Sequence, residues 1–548
     1  MSLKIPKVGL SQMLKEGHTS EQGLEAAVYR NIAANKKLAS ITRTSFGPHG
    51  MNKMVINHLE KLFVTSDAAT IVRELDVVHP AAKLLVMAAQ QQEAEMGDAT
   101  NFVLVLAGQL LEKGQELLKM GLHPSEVIVG YVQAAKYAKE ILETLALPTA
   151  SDDSQLKAAV KTSIAAKQWG YEDMLADIVV EASMLIMPKS NRAAFNVDSI
   201  RVVKILGGSL SETRVITGMV FPREPVGSLV SATKAKVAVF AGGIDLATTE
   251  TKGTVLIKNA KEMLDFTTGE EKQLEGLIQS IADTGVKVVV SGSSIGEMAL
   301  HYLNRAGIVV VKVLSKFDLR RLCRVTGSTP LTRVGPPMPE EIGFVESCKT
   351  IEIGSDWCTV FSQGESADAS TRTCTIVIRG ATMNLLDDME RAIDDSVNVV
   401  KALVAKDARV VPGAGASELE LARSLATRSD ETVGLGQYAI KAFSQACEIV
   451  PRTLAENAGL DATEVLSKLY AAHANGGVAI GVDVEASDDG SGVKDAQEAG
   501  ILDSLIIKQH AIKLAVHAAT TVLSVDQIIM AKQAGGPKPK KNQNWDDD

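Results

Sequence analysis

The two ends of this chain share one texture and the middle has another. Residues from about Ser20 to residue 146, and again from Ser417 onward, carry long Ala- and Leu-rich helical periodicity, whereas the stretch from Ile200 is built of β-branched runs. Helices with apolar stripes bury them best against one another. The pattern therefore predicts one domain assembled from both chain ends, with a β-rich domain inserted into it. At 548 residues the chain exceeds a single hydrophobic core, and two or three domains are expected. Aromatic residues make up only 4% while apolar residues reach 46%. Ala, Val, Leu and Ile must then fill the interior, which favours closely packed helices and a parallel-type sheet. The expected class is α/β multidomain.

Periodicity predicts a helix from about Ser20 to Ser45, with Leu24, Val28, Ile32 and Leu38 on one face. Met54–Ile56 and Leu62–Val64 read as a hairpin that delivers Asp67, and residues 81–96, 102–119 and 124–146 as helices. In the middle, strands are expected at Val202–Leu206, Val215–Phe221, Ala235–Phe240, Val286–Val290 and Ile308–Val313, with crossover helices over 270–282 and 295–306. A strand at Cys374–Ile378 precedes a helix from about Asn384 to Val404, and the Gly/Pro/Lys then acidic tail from Gly535 to Asp548 is expected to be disordered.

A net charge of −9 leaves no Lys/Arg field for nucleic acid, since Lys36-Lys37 and Lys538–Lys541 are short clusters. No apolar run approaches a membrane span, and the first ten residues have no apolar leader core. Five cysteines without a C-x-x-C pair fit a reducing cytoplasm. There is no G-x-x-x-x-G-K-[ST], no H-E-x-x-H and no G-x-S-x-G. Gly434–Ala439 matches the looser dinucleotide fingerprint, but it follows a charged run and no strand.

Three loops between Thr44 and Asn101 carry the chemistry. They are Thr44-Ser45-Phe46-Gly47-Pro48-His49-Gly50, Val64-Thr65-Ser66-Asp67-Ala68-Ala69-Thr70, and Gly97-Asp98-Ala99-Thr100-Asn101. Glycines let backbone N–H groups approach a phosphate, and the helix after Asp98 offers the positive end of its dipole. Carboxylates beside a polyphosphate imply a hard cation between them, so a metal-nucleotide is expected. Each loop taken alone reads equally as a turn or, for Asp98, a helix cap. Thr162–Lys167 forms a further small-residue loop from which Lys167 reaches either a phosphate or solvent. On the Asn384 helix, Met389, Ile393, Val400 and Leu403 form the apolar stripe, and Asp394 and Asp395 lie off it. Asp387 can pair with Arg391, but Asp394 faces Glu390, so this cluster needs a cation from elsewhere. Such a carboxylate could activate a water, or simply be a solvated face. Pro412–Glu418 is a Gly-rich turn with Ser417 and Glu420 at capping-box spacing.

Together these loops resemble the group II chaperonins, over essentially the whole length. The family's TLGPKG-type loop appears as Thr44–Gly50, its NDGAT as Ser66–Thr70, its GDGTT as Gly97–Asn101, its GGGA as Gly413–Ala416 and its ERxxxDA as Glu390–Ser396. Within the family, residues 57–64, 315–323 and 525–532 and the Trp-Asp-Asp-Asp end look most like one subunit type of the eukaryotic cytosolic T-complex chaperonin. The resemblance implies an ATP-driven folding machine with Mg2+, an eight-membered double ring of paralogous subunits, and unfolded clients such as actin and tubulin. It also implies an equatorial ATP-binding domain (1–147 and 405–534), an intermediate hinge domain (148–215 and 371–404) and an apical client-binding domain with a helical lid (216–370). By motif position, Thr44, Ser45, Phe46, Gly47, Pro48, Gly97, Ala99, Thr100, Asn101, Gly413, Ala414 and Gly415 would surround the nucleotide. Asp98 would hold Mg2+, Asp67 and Asp395 would position water, Lys167 would sense the γ-phosphate and Asp503 would meet the nucleoside. Lys316, Arg320 and Arg324 recur at i, i+4 and i+8 as a basic stripe suited to acidic clients, or equally a solvated face.

Four positions depart from the family pattern. Ala99 and Asn101 alter GDGTT, Ala68 follows Asp67, and Ala414 interrupts GGGA. Where such a site needs positive φ, a methyl costs stability or affinity. Two other readings stay open: a metabolic ATP-dependent kinase or ligase, and a subunit that binds nucleotide without turning it over.

Overall fold

The computed structural model describes residues 19–22, 27–147, 153–188, 192–245, 259–364, 372–485 and 492–530, and the expected tail disorder lies outside them. Among these, the helices Tyr29–Arg43, Pro80–Met96, Thr100–Lys119 and Pro124–Leu145 pack with Ala416–Glu431, Gly436–Cys447 and Leu505–Leu523. The largest apolar core takes Ile32, Leu104 and Tyr131 from the first group and Phe443, Ala515 and Val522 from the second. Tyr131 donates to the Leu110 carbonyl at 2.8 Å and meets Phe443 edge-on at 6.0 Å. Small residues allow the close approach. A methyl added to Gly108 would collide with Ala39, and one added to Gly130 with Ala439.

The first helix starts later than its periodicity predicts. Thr19–Gln22 instead forms a strand, antiparallel to Gln527–Met530, with Thr19 opposite Met530. Pairing with the distant chain end satisfies backbone groups there, so tertiary context overrides the helical pattern. The hairpin Lys53–Ile56 and Leu62–Thr65 is as expected, with Met54 opposite Val64.

An eight-stranded sheet occupies the middle, in the order Ile200–Leu206, Cys374–Gly380, Arg214–Phe221, Asp356–Ser362, Gly343–Ile353, Ser231–Phe240, Val286–Ser291, Val309–Lys312. The last three run parallel and their crossovers contain the helices Ala260–Asp283 and Glu297–Arg305. Their valine runs are buried on both faces, as a parallel sheet requires.

A smaller core joins Cys374–Gly380 to the helices Asp153–Ala165, Glu172–Ile186 and Met383–Lys401 through Val160, Val179, Ile376, Met389 and Ile393. Thr162–Ala165 are therefore the last turn of a helix and not a loop. Burying Val160 and Ile164 against Leu175 outweighs the weak local propensity. Among the described residues no helix is long and apolar enough to cross a membrane.

Candidate nucleotide site

A cavity of about 410 Å³ opens where these two cores meet. Of the residues expected from sequence, Ser45, Phe46, Gly47, Pro48, Asp67, Asp98, Ala99, Thr100, Asn101, Lys167, Ala414, Gly415 and Asp503 line it. Thr44, Gly97 and Gly413 do not line it, and Thr44 is exposed. Thr44 accepts from the Lys53 ammonium at 2.5 Å. Gly97, at φ 77°, ends the Pro80–Met96 helix where any side chain would strike Asn398. Gly413 backs onto Ile501 and Asp503.

Asp67 follows the hairpin and caps the helix Ala68–Glu74, accepting from the Thr70 amide at 3.0 Å and its hydroxyl at 2.7 Å. Lys167 reaches it at 3.1 Å, and the same ammonium pairs with Asp395. Burial alone would raise the Asp67 carboxyl, but Lys167 and Thr70 overcome it and hold the group at about 2. Asp395 does not itself line the cavity; it connects to it through Lys167.

Among the described residues the acidic helix finds cations for Asp387, Asp388, Glu390 and Asp395, whereas Asp394 pairs with none, and burial and Glu390 push its carboxyl up to about 6. Lys204, from the strand Ile200–Leu206, binds Asp387 and Glu390 at 2.6 Å each. Arg391 pairs with Asp388 at 2.6 Å, so the expected Asp387–Arg391 pair does not form. Lys204 takes Asp387 because the strand runs beside the helix, leaving Arg391 its i−3 neighbour.

Asp98 does not cap the helix that follows it. The N-cap of Thr100–Lys119 is Ala99, in the left-handed region at φ 63° and with no side-chain cap, so the helix N–H groups are left facing the cavity. The Asp98 carboxylate accepts from the Ala99 amide at 2.7 Å and the Ser163 hydroxyl at 2.9 Å. Burial pushes it above the ordinary carboxylate range, because these contacts and the more distant Lys167 compensate only in part. Among the described residues no ammonium contacts it, and a buried carboxylate with two neutral donors fits a hard cation, which it would help to hold. Among the described residues no cluster of three or more His, Cys, Asp or Glu side chains forms a metal cage.

The departures from the family pattern separate into two kinds. Ala99 and Ala414, at φ 63° and 53°, hold the left-handed conformation that a methyl disfavours. Ala68 is an ordinary first helical residue, and Asn101 donates to the Thr42 carbonyl at 3.1 Å. The Ser417–Glu420 capping box is absent. Gly415, at φ 80°, is the N-cap, Ser417 donates to the Pro412 carbonyl, and Glu420 binds Arg423 at 2.7 Å and His473 at 3.1 Å. Gly415 supplies the turn without strain, which moves Ser417 inside the helix.

Four contributors escaped the sequence reading. Ser163 orients Asp98. Gln92 donates to the Asp98 carbonyl at 2.8 Å and its own carbonyl faces His510 at 2.7 Å. Trp169 packs against His49 at the cavity edge, ring centroids 5.4 Å apart and planes tilted by 44°. Lys508 is buried beneath Asp503. Its signal was present, a lone charge on the stripe that carries Leu505, Ile512 and Ala515.

The TCP-1/cpn60 chaperonin family model matches residues 38–533. The chain belongs to the TCP-1/cpn60 chaperonin family. Curated relatives named T-complex protein 1 subunit theta match this chaperonin chain over all of its length and all of theirs, at 52% identity in Homo sapiens and 51% in Saccharomyces cerevisiae. One named "Probable T-complex protein 1 subunit theta" from Schizosaccharomyces pombe is 54% identical over the same full span. The kinase or ligase reading falls with this match. On the chaperonin chain, Lys316, Arg320 and Arg324 are all exposed on the helix Lys316–Thr326, whose other face buries Leu319, Leu322 and Cys323.

Proposed function

We propose that this chain is a theta-type subunit of a cytoplasmic, hetero-oligomeric double-ring chaperonin that binds unfolded proteins and couples ATP hydrolysis to closure over them. One observation carries the reading: Lys167 joins Asp67 to Asp395 at the cavity edge, so residues 328 apart in sequence form one charged unit that reaches a loop-lined space of about 410 Å³ through Asp67 and Lys167. In this reading the helix N–H groups at Thr100–Lys119 and the Gly47 turn bind phosphates. Asp98 holds Mg2+, which when bound would neutralise phosphate charge. Asp67 and Asp395 orient the attacking water, Asp395 as general base, and Lys167 presents its remaining hydrogen to the terminal phosphate. Asp503 meets the nucleoside.

The division into equatorial, intermediate and apical parts belongs to the same proposal. Asp67 lies on the two-ended helical body and Asp395 on the smaller core, so hydrolysis requires both to be in place, and that requirement ties chemistry to movement of the client-binding part. The exposed stripe Lys316, Arg320 and Arg324 attracts acidic client surfaces, with actin- and tubulin-type chains as the expected clients.

A second reading, nucleotide binding with little turnover, is favoured by the left-handed Ala99 and Ala414 in the phosphate loops. One experiment separates the two. ATP turnover of an assembled complex carrying Asp395→Ala in this chain alone should fall while labelling of the chain by an azido-ATP photoprobe persists. Unchanged turnover with persistent labelling would select the second reading, and absence of labelling in the unmodified chain would remove both.

A further inference from the structure

At the nucleoside end of the cavity three charged side chains meet in its wall, Asp503, Lys508 and Glu418. The Lys508 ammonium lies 2.6 Å from Asp503 Oδ2 and 2.8 Å from Glu418 Oε1. Lys508 is 7% exposed and Glu418 2%, whereas the Asp503 side chain is 33% exposed on the cavity wall. Burial would lower the lysine, but Asp503 and Glu418 push it above its ordinary value, so it stays charged.

The arrangement is lopsided in an informative way. Glu418 sits in the first turn of Ala416–Glu431, where the helix dipole favours a carboxylate. Its second oxygen is buried and takes no hydrogen-bond partner among the described residues. Among the described residues its one ion-pair partner is Lys508. A purely structural pair would be complete with those two groups. Asp503 adds a second, partly exposed carboxylate, on a strand already pinned by pairing Val411 opposite Asp503. With the backbone held by that ladder, rotation of the Asp503 side chain is the remaining freedom, and Lys508 removes it by holding Oδ2. Oδ1 is not held by Lys508, on a side chain that lines the cavity.

We propose that Lys508, anchored by Glu418, is a positioning residue that fixes the Asp503 carboxylate to accept hydrogen bonds from the vicinal hydroxyls of a ribose. The inference rests on the nucleotide reading above and deepens it. Lys508 reaches the cavity wall but is 7% exposed and turns its ammonium to Asp503 and Glu418, so it sets sugar selectivity through Asp503. A freely turning carboxylate would still attract the sugar but would distinguish one hydroxyl from two poorly, because ordering it on binding offsets the gain.

The test uses the assembled complex with variants in this chain alone, and follows azido-ATP photolabelling of the chain under competition by ATP or 2′-deoxy-ATP. ATP should compete about tenfold better than the deoxy form, the loss expected for one unmade hydrogen bond in a fixed site. Asp503→Ala should bring that ratio close to one. Lys508→Met combined with Glu418→Gln, which leaves no lone buried charge, should do the same while labelling continues, and Lys508→Arg should restore most of the preference. A lower melting temperature with an unchanged ratio in the double variant would assign Lys508 a structural role only and overturn the proposal. A ratio insensitive to Asp503→Ala would remove Asp503 from the sugar site and overturn the proposal, whereas no labelling of the unmodified chain would overturn the nucleotide reading on which it stands.

Discussion

The loops at 66–70 and 97–101 look alike in sequence and behave oppositely in the fold. Each sets an aspartate just ahead of a buried helix. Asp67 caps its helix and has an ammonium at 3.1 Å, and its carboxyl is held at about 2. Asp98 leaves its helix uncapped, touches neutral donors, and is pushed up by burial. The difference lies in Lys167, which contacts one and not the other. One carboxylate carries its cation as part of the chain; the other touches neutral donors and, in the proposed reading, receives one. Such a split suits a site that orients water with the first and gathers a metal-nucleotide with the second.

Removing the internal cation should break the contrast most severely. Lys167→Met strands Asp67 and Asp395 in a buried setting, and the full chain should lose about 3–5 kcal/mol in denaturant unfolding. A loss below about 1 kcal/mol, the range of an exposed pair, would mean that solvent already compensates them.

Acid should expose the same asymmetry in the unmodified chain. Asp67 has a folded value of about 2 against an ordinary 3.8, so its contribution of roughly 2 kcal/mol is present above about pH 4 and lost as pH falls through about 2. Asp98 is shifted the other way, so it costs stability once ionised and protonation relieves it. In Asp67→Asn the stability lost between pH 4 and 2 should shrink by about that amount. An unchanged acid limb would place the acid sensitivity elsewhere.

Neutralising the second aspartate should sharpen the contrast by reversing its sign. Asp98→Asn keeps the Ala99 contact, and the Ser163 hydroxyl can rotate to accept from the new amide. Without nucleotide the variant should be about 1 kcal/mol more stable, while Mg2+-dependent photolabelling by azido-ATP is lost. Labelling that persists and still responds to EDTA would show that Asp98 is not the cation's ligand.

The smallest effect compares the alanines beside the two aspartates. Ala99→Gly relieves a residue at φ 63° and should stabilise by about 0.5–1 kcal/mol, whereas Ala68→Gly, at an ordinary helical position, should destabilise by a similar amount. Thermal unfolding of the two variants should shift in opposite directions; shifts of the same sign would mean the loop at 97–101 carries no strain.

By itself the sequence determined whatever depends on contiguous residues. The hairpin before Asp67, the long helices flanking Gly97–Asn101 and the valine strands of the sheet follow from periodicity and turn chemistry written into neighbouring positions. It also carried the family, since ordered loop motifs are local. The start of the first helix, the helical state of Thr162–Ala165 and the position of Ser417 within its helix were misread because distant partners decided them. Tertiary structure alone decided the charges. Lys167 stands 100 residues from Asp67 and 228 from Asp395, and Lys508 stands 90 from Glu418, so no local pattern records those pairs. A carboxylate takes its protonation from burial and from whichever cation the fold brings within about 4 Å, and those distances exist only after the chain has closed on itself.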